Sequence, residues 1–232
     1  MILAIVAARV SSSRLPGKVL MDICGKPMLT RVIERVKQST LIDKIIVATT
    51  YLGEDEAIIK LAENNGISWH EGVVNDVLTR YYHCASKHIE NPFKDIIVRI
   101  TGDCPLIDPE IIDKAIKYHL SVNGGYDFVT NTGTYPDGMD TEVFSYIALE
   151  RAWQLARLDE DREHVTIYML KHPEMFRIGK LRSDQKYPAL KLSVDTREDL
   201  ERVRIIYKEL GENCRLGDII DFYRKGLYER PN

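Results

Sequence analysis

Two acidic residues and one basic loop hold most of the chemistry this 232-residue sequence can offer. Asp103 stands in Thr101-Gly102-Asp103-Cys104-Pro105, directly after the apolar run Asp95–Thr101. Asp195 stands in Ser193-Val194-Asp195-Thr196, directly after Leu190–Val194. With both runs as strands of one parallel sheet, both carboxylates leave it at the same edge. That suits a magnesium ion, which takes one or two carboxylates and completes its octahedron with water and phosphate oxygens. A loop expected at this same edge follows the first apolar run, Ile2–Ala8, and carries Arg9, Ser11 to Ser13, Arg14, Pro16-Gly17 and Lys18. The small residues Ala7, Ala8 and the serines let a ligand approach the backbone, while Arg14 and Lys18 add fixed positive charge. The loop therefore reads as a cradle for a polyphosphate.

Each of these residues also has a plainer reading. Asp195 can cap a helix beginning near Arg197, and Asn75 can equally cap one beginning at Asp76 or touch a ligand. Three cations alone make an ordinary basic surface loop. Two other phosphate signatures are absent: Gly25-Lys26 is followed by Pro27, so there is no GxxxxGK[ST], and no GxGxxG follows the first run.

The elements that must position these groups follow from periodicity. Ile2–Ala8, Lys44–Thr49 and Asp95–Thr101 are continuously apolar, as strands covered on both faces are. Amphipathic helices are expected over Pro27–Gln38, Asp55–Asn65 and Asn75–Ile89, with another from Asp108 (N-cap) and Pro109 (N1) to about Leu120. This alternation predicts an α/β fold, a three-layer α/β/α sandwich around a mostly parallel, Rossmann-like sheet. After Asp127–Asn131 the pattern changes to a short strand near Thr141–Ser145 and helices around Ile147–Leu158 and Arg162–Lys171. A strand at Leu190–Val194 and a helix over Arg197–Leu210 then return.

Residues 132–189 thus read as a small inserted β/α subdomain lying over the carboxyl edge, within a single domain 1–232. It brings an acidic cluster, Asp137, Asp140 and Glu142, and the run Arg162-Glu163-His164. A pocket lined by both signs suits a polyhydroxylated or amino-bearing ligand. Solvated-face roles for Arg162 and Glu163 and a buried structural role for His164 stand beside that reading. Tyr81, Tyr82, Phe128 and Tyr168 read as core.

Composition excludes several classes. Lys plus Arg total 32 against 35 for Asp plus Glu, a net charge of −3, which argues against a nucleic-acid-coating protein. No stretch approaches the ~20 apolar residues of a membrane span. The N-terminal run leads into Arg9 without a cleavage site, so a cytoplasmic protein is expected. Cys24, Cys84, Cys104 and Cys214 lack CxxC spacing and the six histidines form no HxxxH pair, so reduced thiols and no zinc site are expected.

The run Ala7-Ala8-Arg9-x-x-Ser12-Ser13-Arg14-Leu15-Pro16-Gly17-Lys18, followed by Gly25-Lys26-Pro27-Met28-Leu29, resembles the cytidylyltransferase superfamily that includes CMP-Kdo and CMP-acylneuraminate synthetases. Its spore-coat polysaccharide branch is the nearest in pattern. The segments EGVVNDVLTRYY (71–82), VRITGDCPLIDPEII (98–112), YPDGMDTEVFS (135–145), DREHVT (161–166) and SVDTREDL (193–200) extend the resemblance over nearly the whole chain.

The resemblance implies transfer of CMP from CTP to a sugar-like acceptor with release of pyrophosphate. It places Arg14 and Lys18 on the triphosphate, with Ala7, Ala8, Arg9 and Ser13 nearby, and Asn75, Asp76, Thr101 and Asp103 around the nucleotide. It implies Mg²⁺ on Asp103 and Asp195, an acceptor side drawn from 132–189, and a homodimer formed through that same segment. The acceptor segment departs from the CMP-Kdo and CMP-acylneuraminate branches, so a 3-deoxy-ulosonic acid is not implied. Another nucleoside triphosphate, a polyol-phosphate acceptor, or a nucleotide-binding protein without turnover remain open. So does a glycosyltransferase, although its D-x-D, Asp159-Glu160-Asp161, has no apolar strand before it.

Overall fold

Apolar runs become strands and amphipathic runs become helices in the computed structural model, which describes residues 1–122, 124–183, 185–187 and 190–226. In chain order, the first half comprises β1 (Ile2–Ala7), the hairpin β2 (Asp22–Ile23) and β3 (Lys26–Pro27), α1 (Met28–Val36), β4 (Lys44–Thr50) and α2 (Glu56–Asn64). There follow β5 (Ser68–Gly72), α3 (Val77–Ser86), β6 (Ile96–Thr101) and α4 (Pro109–Leu120). The second half comprises β7 (Phe128–Thr130), β8 (Glu142–Ser145), α5 (Tyr146–Leu155), α6 (Asp159–Glu163) and α7 (Ile167–Lys171). It closes with β9 (Ile178–Lys180), α8 (Arg197–Leu210) and α9 (Leu216–Arg224).

Seven strands form one sheet in the order β5-β4-β1-β6-β8-β7-β9. The first four are mutually parallel, β8 runs antiparallel to both β6 and β7, and β9 is parallel to β7. Successive side chains of a strand point to opposite faces. Ala4 and Val6 therefore meet α1, α2 and α4 through Val32, Ile33, Ile58 and Ile112, all fully buried. Leu3 and Ile5 meet α3 and α5 through Leu78, Tyr81 and Leu149. Each fully buried aliphatic side chain contributes about 1.5–3 kcal/mol. Helices on both faces explain why these strands read as unbroken apolar runs.

A third cluster packs α8 and α9 around Leu192 and Val194. Two buried arginines of α1 fasten it to the sandwich. Arg35 donates to the carbonyls of Ile107 (2.6 Å), Glu212 (3.0 Å) and Cys214 (2.7 Å). Arg31 donates to those of Ile23 and Cys24 and to the Glu212 carboxylate. With every donor nitrogen of both guanidiniums engaged, their burial is tolerated.

The three-layer architecture matches the sequence expectation, and several elements depart from it. The segment 132–189 contributes two strands to the sheet itself: β8 pairs directly with β6, and β9 joins beyond β7. Leu190–Val194 is no strand of the sheet: it makes one isolated bridge, Lys191 with Asp137, and bends at Ser193. Its backbone pairs with loops, Leu192 N–H donating to Asp137 (2.7 Å) and Val194 N–H to Asp103 (2.9 Å). It lies flat on the loop at Gly138 (φ 96°), where a Cβ would meet the Leu192 carbonyl carbon and the Ser193 nitrogen at 2.5 Å. The helix expected over Arg162–Lys171 is two helices, α6 and α7. The chain turns between them to bury Val165 and to bring the Thr166 hydroxyl to Glu142. The edge strand β5, the short β9 and helix α9 have no counterpart in the sequence reading.

Candidate active site

The loop after β1 is pinned from below by a buried carboxylate. Asp55 accepts the Val10 N–H (2.7 Å) and the Thr50 hydroxyl and N–H. Beside it, Gly102 lets β6 end against β1: its N–H donates to the Ala7 carbonyl (2.8 Å), and a Cβ there would come within 2.9 Å of that oxygen. Gly102 thus serves a close backbone contact beside Asp103.

This junction places three groups together. Lys18 is buried, and its ammonium donates to Asp103 Oδ2 (2.7 Å), the Val194 carbonyl (2.7 Å) and Asp195 Oδ1 (3.1 Å). Arg14, on the exposed part of the loop, reaches the same Asp195 oxygen at 2.7 Å. Lys191 meets the other oxygen, Oδ2, at 3.0 Å. Burial disfavours charge on Asp195, but the hydrogen bonds from Lys191 and Lys18 outweigh it and hold its carboxyl below the ordinary range. Asp195 does not cap the following helix. Thr196 does, in a capping box with Asp199. The neighbouring Cys104 thiol is pushed well above its ordinary pKa by burial and is a packing group.

A cleft of about 400 Å³ opens over this cluster. Of the candidate residues, Ala7, Ala8, Arg9, Ser13, Arg14, Lys18, Asn75, Thr101, Asp103, His164 and Asp195 line it. His164 is exposed there, not buried. The remaining candidates lie outside the lining. Asp76, not Asn75, caps α3, accepting the Thr79 N–H (2.8 Å), and its other oxygen pairs with Arg162 at 2.6 Å. Glu142 is buried, held by Arg99 (2.6 Å) and the Thr166 hydroxyl (3.0 Å). Asp140 folds back onto the Gly138 N–H (3.3 Å). Burial raises the Asp137 pKa; its hydrogen bond with Ser193 opposes this, and the charges of Asp140 and Asp195 reinforce it.

Two arginines of the lining escaped the sequence reading. Arg80 of α3 is buried and donates to the Val73 carbonyl (2.7 Å). Arg99 of β6 leans on Glu142. Each keeps a buried Nε without a partner. The signal for Arg99 was a lone charge among Ile96, Ile97, Val98 and Ile100.

Among the described residues no three His, Cys, Asp or Glu side chains gather as a metal site, and no helix is long and apolar enough to cross a membrane. All four cysteines are free thiols. Two carboxylates sharing one cationic point nonetheless fit magnesium, whose other ligands come from water and phosphate.

Residues 3–226 match the family model described as cytidylyltransferase. An uncharacterized protein of Methanocaldococcus jannaschii is 39% identical over 97% of this chain and 90% of its own length. The spore coat polysaccharide biosynthesis protein SpsF of Bacillus subtilis is 32% identical over 91% of this chain and 88% of its own. The solved structure of a cytidylyltransferase from Leptospira borgpetersenii superposes with a TM-score of 0.90 at 32% identity, covering 97% of this chain and 94% of that one. With the model spanning almost every residue and these relatives aligned end to end, the chain belongs to the cytidylyltransferase family.

Proposed function

We propose that this chain transfers CMP from CTP to a sugar or sugar-acid acceptor, releasing pyrophosphate, in polysaccharide or surface-glycan biosynthesis. The observation that carries this reading is the meeting of Asp103 and Asp195 on the Lys18 ammonium, beside the loop of Arg9 and Arg14. That grouping suits a triphosphate and its counter-ion, and the family supplies the nucleotide.

Asp103 and Asp195 would hold magnesium, which when bound would neutralise phosphate oxygens as charge develops on them. The chain's own groups do the rest by positioning and electrostatics. Lys18 and Arg14 draw the β- and γ-phosphates to the mouth of the loop and stabilise pyrophosphate as it departs. Small side chains at Ala7 and Ala8 admit the nucleotide to the sheet edge, and Asn75 and Thr101 flank it. His164 and Glu163 face the cleft and are the proposed acceptor contacts. Glu142, Asp76 and Arg162 support that wall from behind, while Asp137 and Asp140 lie at the Gly138 turn against residues 191–195. The protein works in the cytoplasm as a homodimer formed through residues 132–189, where Leu155, Leu158 and Leu170 are exposed.

Pyrophosphate release is measured with ATP, CTP, GTP and UTP in turn, with Mg²⁺ and a panel of sugars, sugar acids and polyol phosphates. CTP with a sugar or sugar acid is expected to give the fastest turnover. Faster release with another nucleotide, or with a polyol phosphate, overturns the cytidylyl or the sugar assignment respectively.

A further inference from the structure

Asp195 is gripped at both oxygens, and the two grips differ in kind. On Oδ1 sit Lys18 and Arg14, residues of the loop that faces the cleft. On Oδ2 sits Lys191, which does not line the cleft. Lys191 is tied into a small network behind the site. Its ammonium also meets Asp199 Oδ2 at 2.6 Å, and Asp199 in turn holds Arg202 (2.8 Å) and accepts the backbone N–H groups of Asp195 and Thr196, both at 3.0 Å. Arg202 closes the circle by donating to the Lys191 carbonyl at 3.1 Å. Backbone and side chain of Asp195 are therefore fixed by the same carboxylate, one directly and one through Lys191.

We propose that Lys191 is a positioning residue. It holds Asp195 Oδ2 against the Asp199 network so that Oδ1 points into the cleft. This rests on the reading of Asp195 as a metal carboxylate. A carboxylate on a short side chain rotates about two bonds, and a ligand pre-set in one rotamer loses less entropy on binding a cation than a free one. Arg14 is mostly exposed and can exchange onto phosphate when a nucleotide arrives, and Lys18, although buried, lines the cleft beside it. Lys191 has no such alternative: its second partner, Asp199, is buried and committed to the start of α8. Its role is to remain while the others leave.

The test uses the full chain with Mn²⁺ as the probe, counted by electron paramagnetic resonance in the presence of CTP. Lys191→Met is expected to weaken Mn²⁺ binding by about tenfold or more. Lys191→Arg, which keeps the charge, is expected to recover most of that loss. CTP binding measured without divalent metal should be unchanged in both, a split that general loosening of the fold would not produce. Thermal denaturation confirms that the variants are folded, and Lys191 is partly exposed, so its loss opens no cavity. Wild-type Mn²⁺ affinity in folded Lys191→Met overturns the inference and leaves the functional reading standing. Failure of the unaltered protein to bind Mn²⁺ with CTP overturns both.

Discussion

The two walls of the cleft are built on opposite principles. On the wall formed by the β1 loop, Asp103 and Asp195, opposite charges meet inside the site: Lys18 on both carboxylates and Arg14 on Asp195, with Lys191 holding Asp195 from behind. On the wall formed by α3, β6 and α6, the arginines are committed to partners within the protein, even where they line the cleft. Arg99 leans on Glu142, Arg162 on Asp76, and Arg80 on a backbone carbonyl. The first wall is a set of ions able to change partners when a phosphate chain arrives. The second is scaffolding that leaves few free groups, so recognition there depends on shape and a handful of hydrogen bonds.

Removing a charge should therefore act on chemistry at the first wall and on stability at the second. The sharpest test is Lys18→Met, expected to lower pyrophosphate release from CTP and Mg²⁺ by about 10²–10³-fold. A variant retaining more than about a tenth of the rate would break the contrast at its stronger side. Next comes Arg99→Met, which leaves Glu142 buried without its cation at a cost of about 2–4 kcal/mol. Calorimetry should record a fall in Tm of roughly 5–15 °C. An unchanged Tm would mean that Arg99 is free for ligand and the second wall is not scaffolding. The mildest is Arg162→Ala, which severs the partly exposed link between α3 and α6. A fall of about 2–4 °C in Tm is expected, with turnover within about threefold of the unaltered protein. A larger loss of turnover with little change in Tm would move Arg162 into the acceptor site.

The same contrast governs how much was legible in the sequence. The first wall sits at the ends of β1 and β6, strands announced by continuous apolar runs, and its residues lie in short motifs. Asp103 and Asp195 could be set at one edge because each follows such a run. Asp195 reaches that edge even though Leu190–Val194 proved to pair with loops, since the Val194 N–H bonded to the Asp103 carbonyl brings the next residue beside Asp103. The second wall depends on partners far apart in sequence: Arg99 with Glu142 across 43 positions, and Arg162 with Asp76 across 86. Periodicity carries no information about such choices. The acidic cluster at 137–142 was legible as a cluster but not as three residues turned to three tasks. Strand β5 escaped because an edge strand with exposed Ser68, Trp69 and Glu71 lacks the apolar signature of its neighbours.

The turn at Gly138 acts as a spacer of zero thickness between two distant stretches of chain. A single methyl group there would work as a shim, lifting residues 192–195 and carrying one carboxylate away from its ammonium while every charged group kept its identity. The reach of Asp195 is thus set by a missing side chain, in a turn whose own two carboxylates, Asp137 and Asp140, flank the gap.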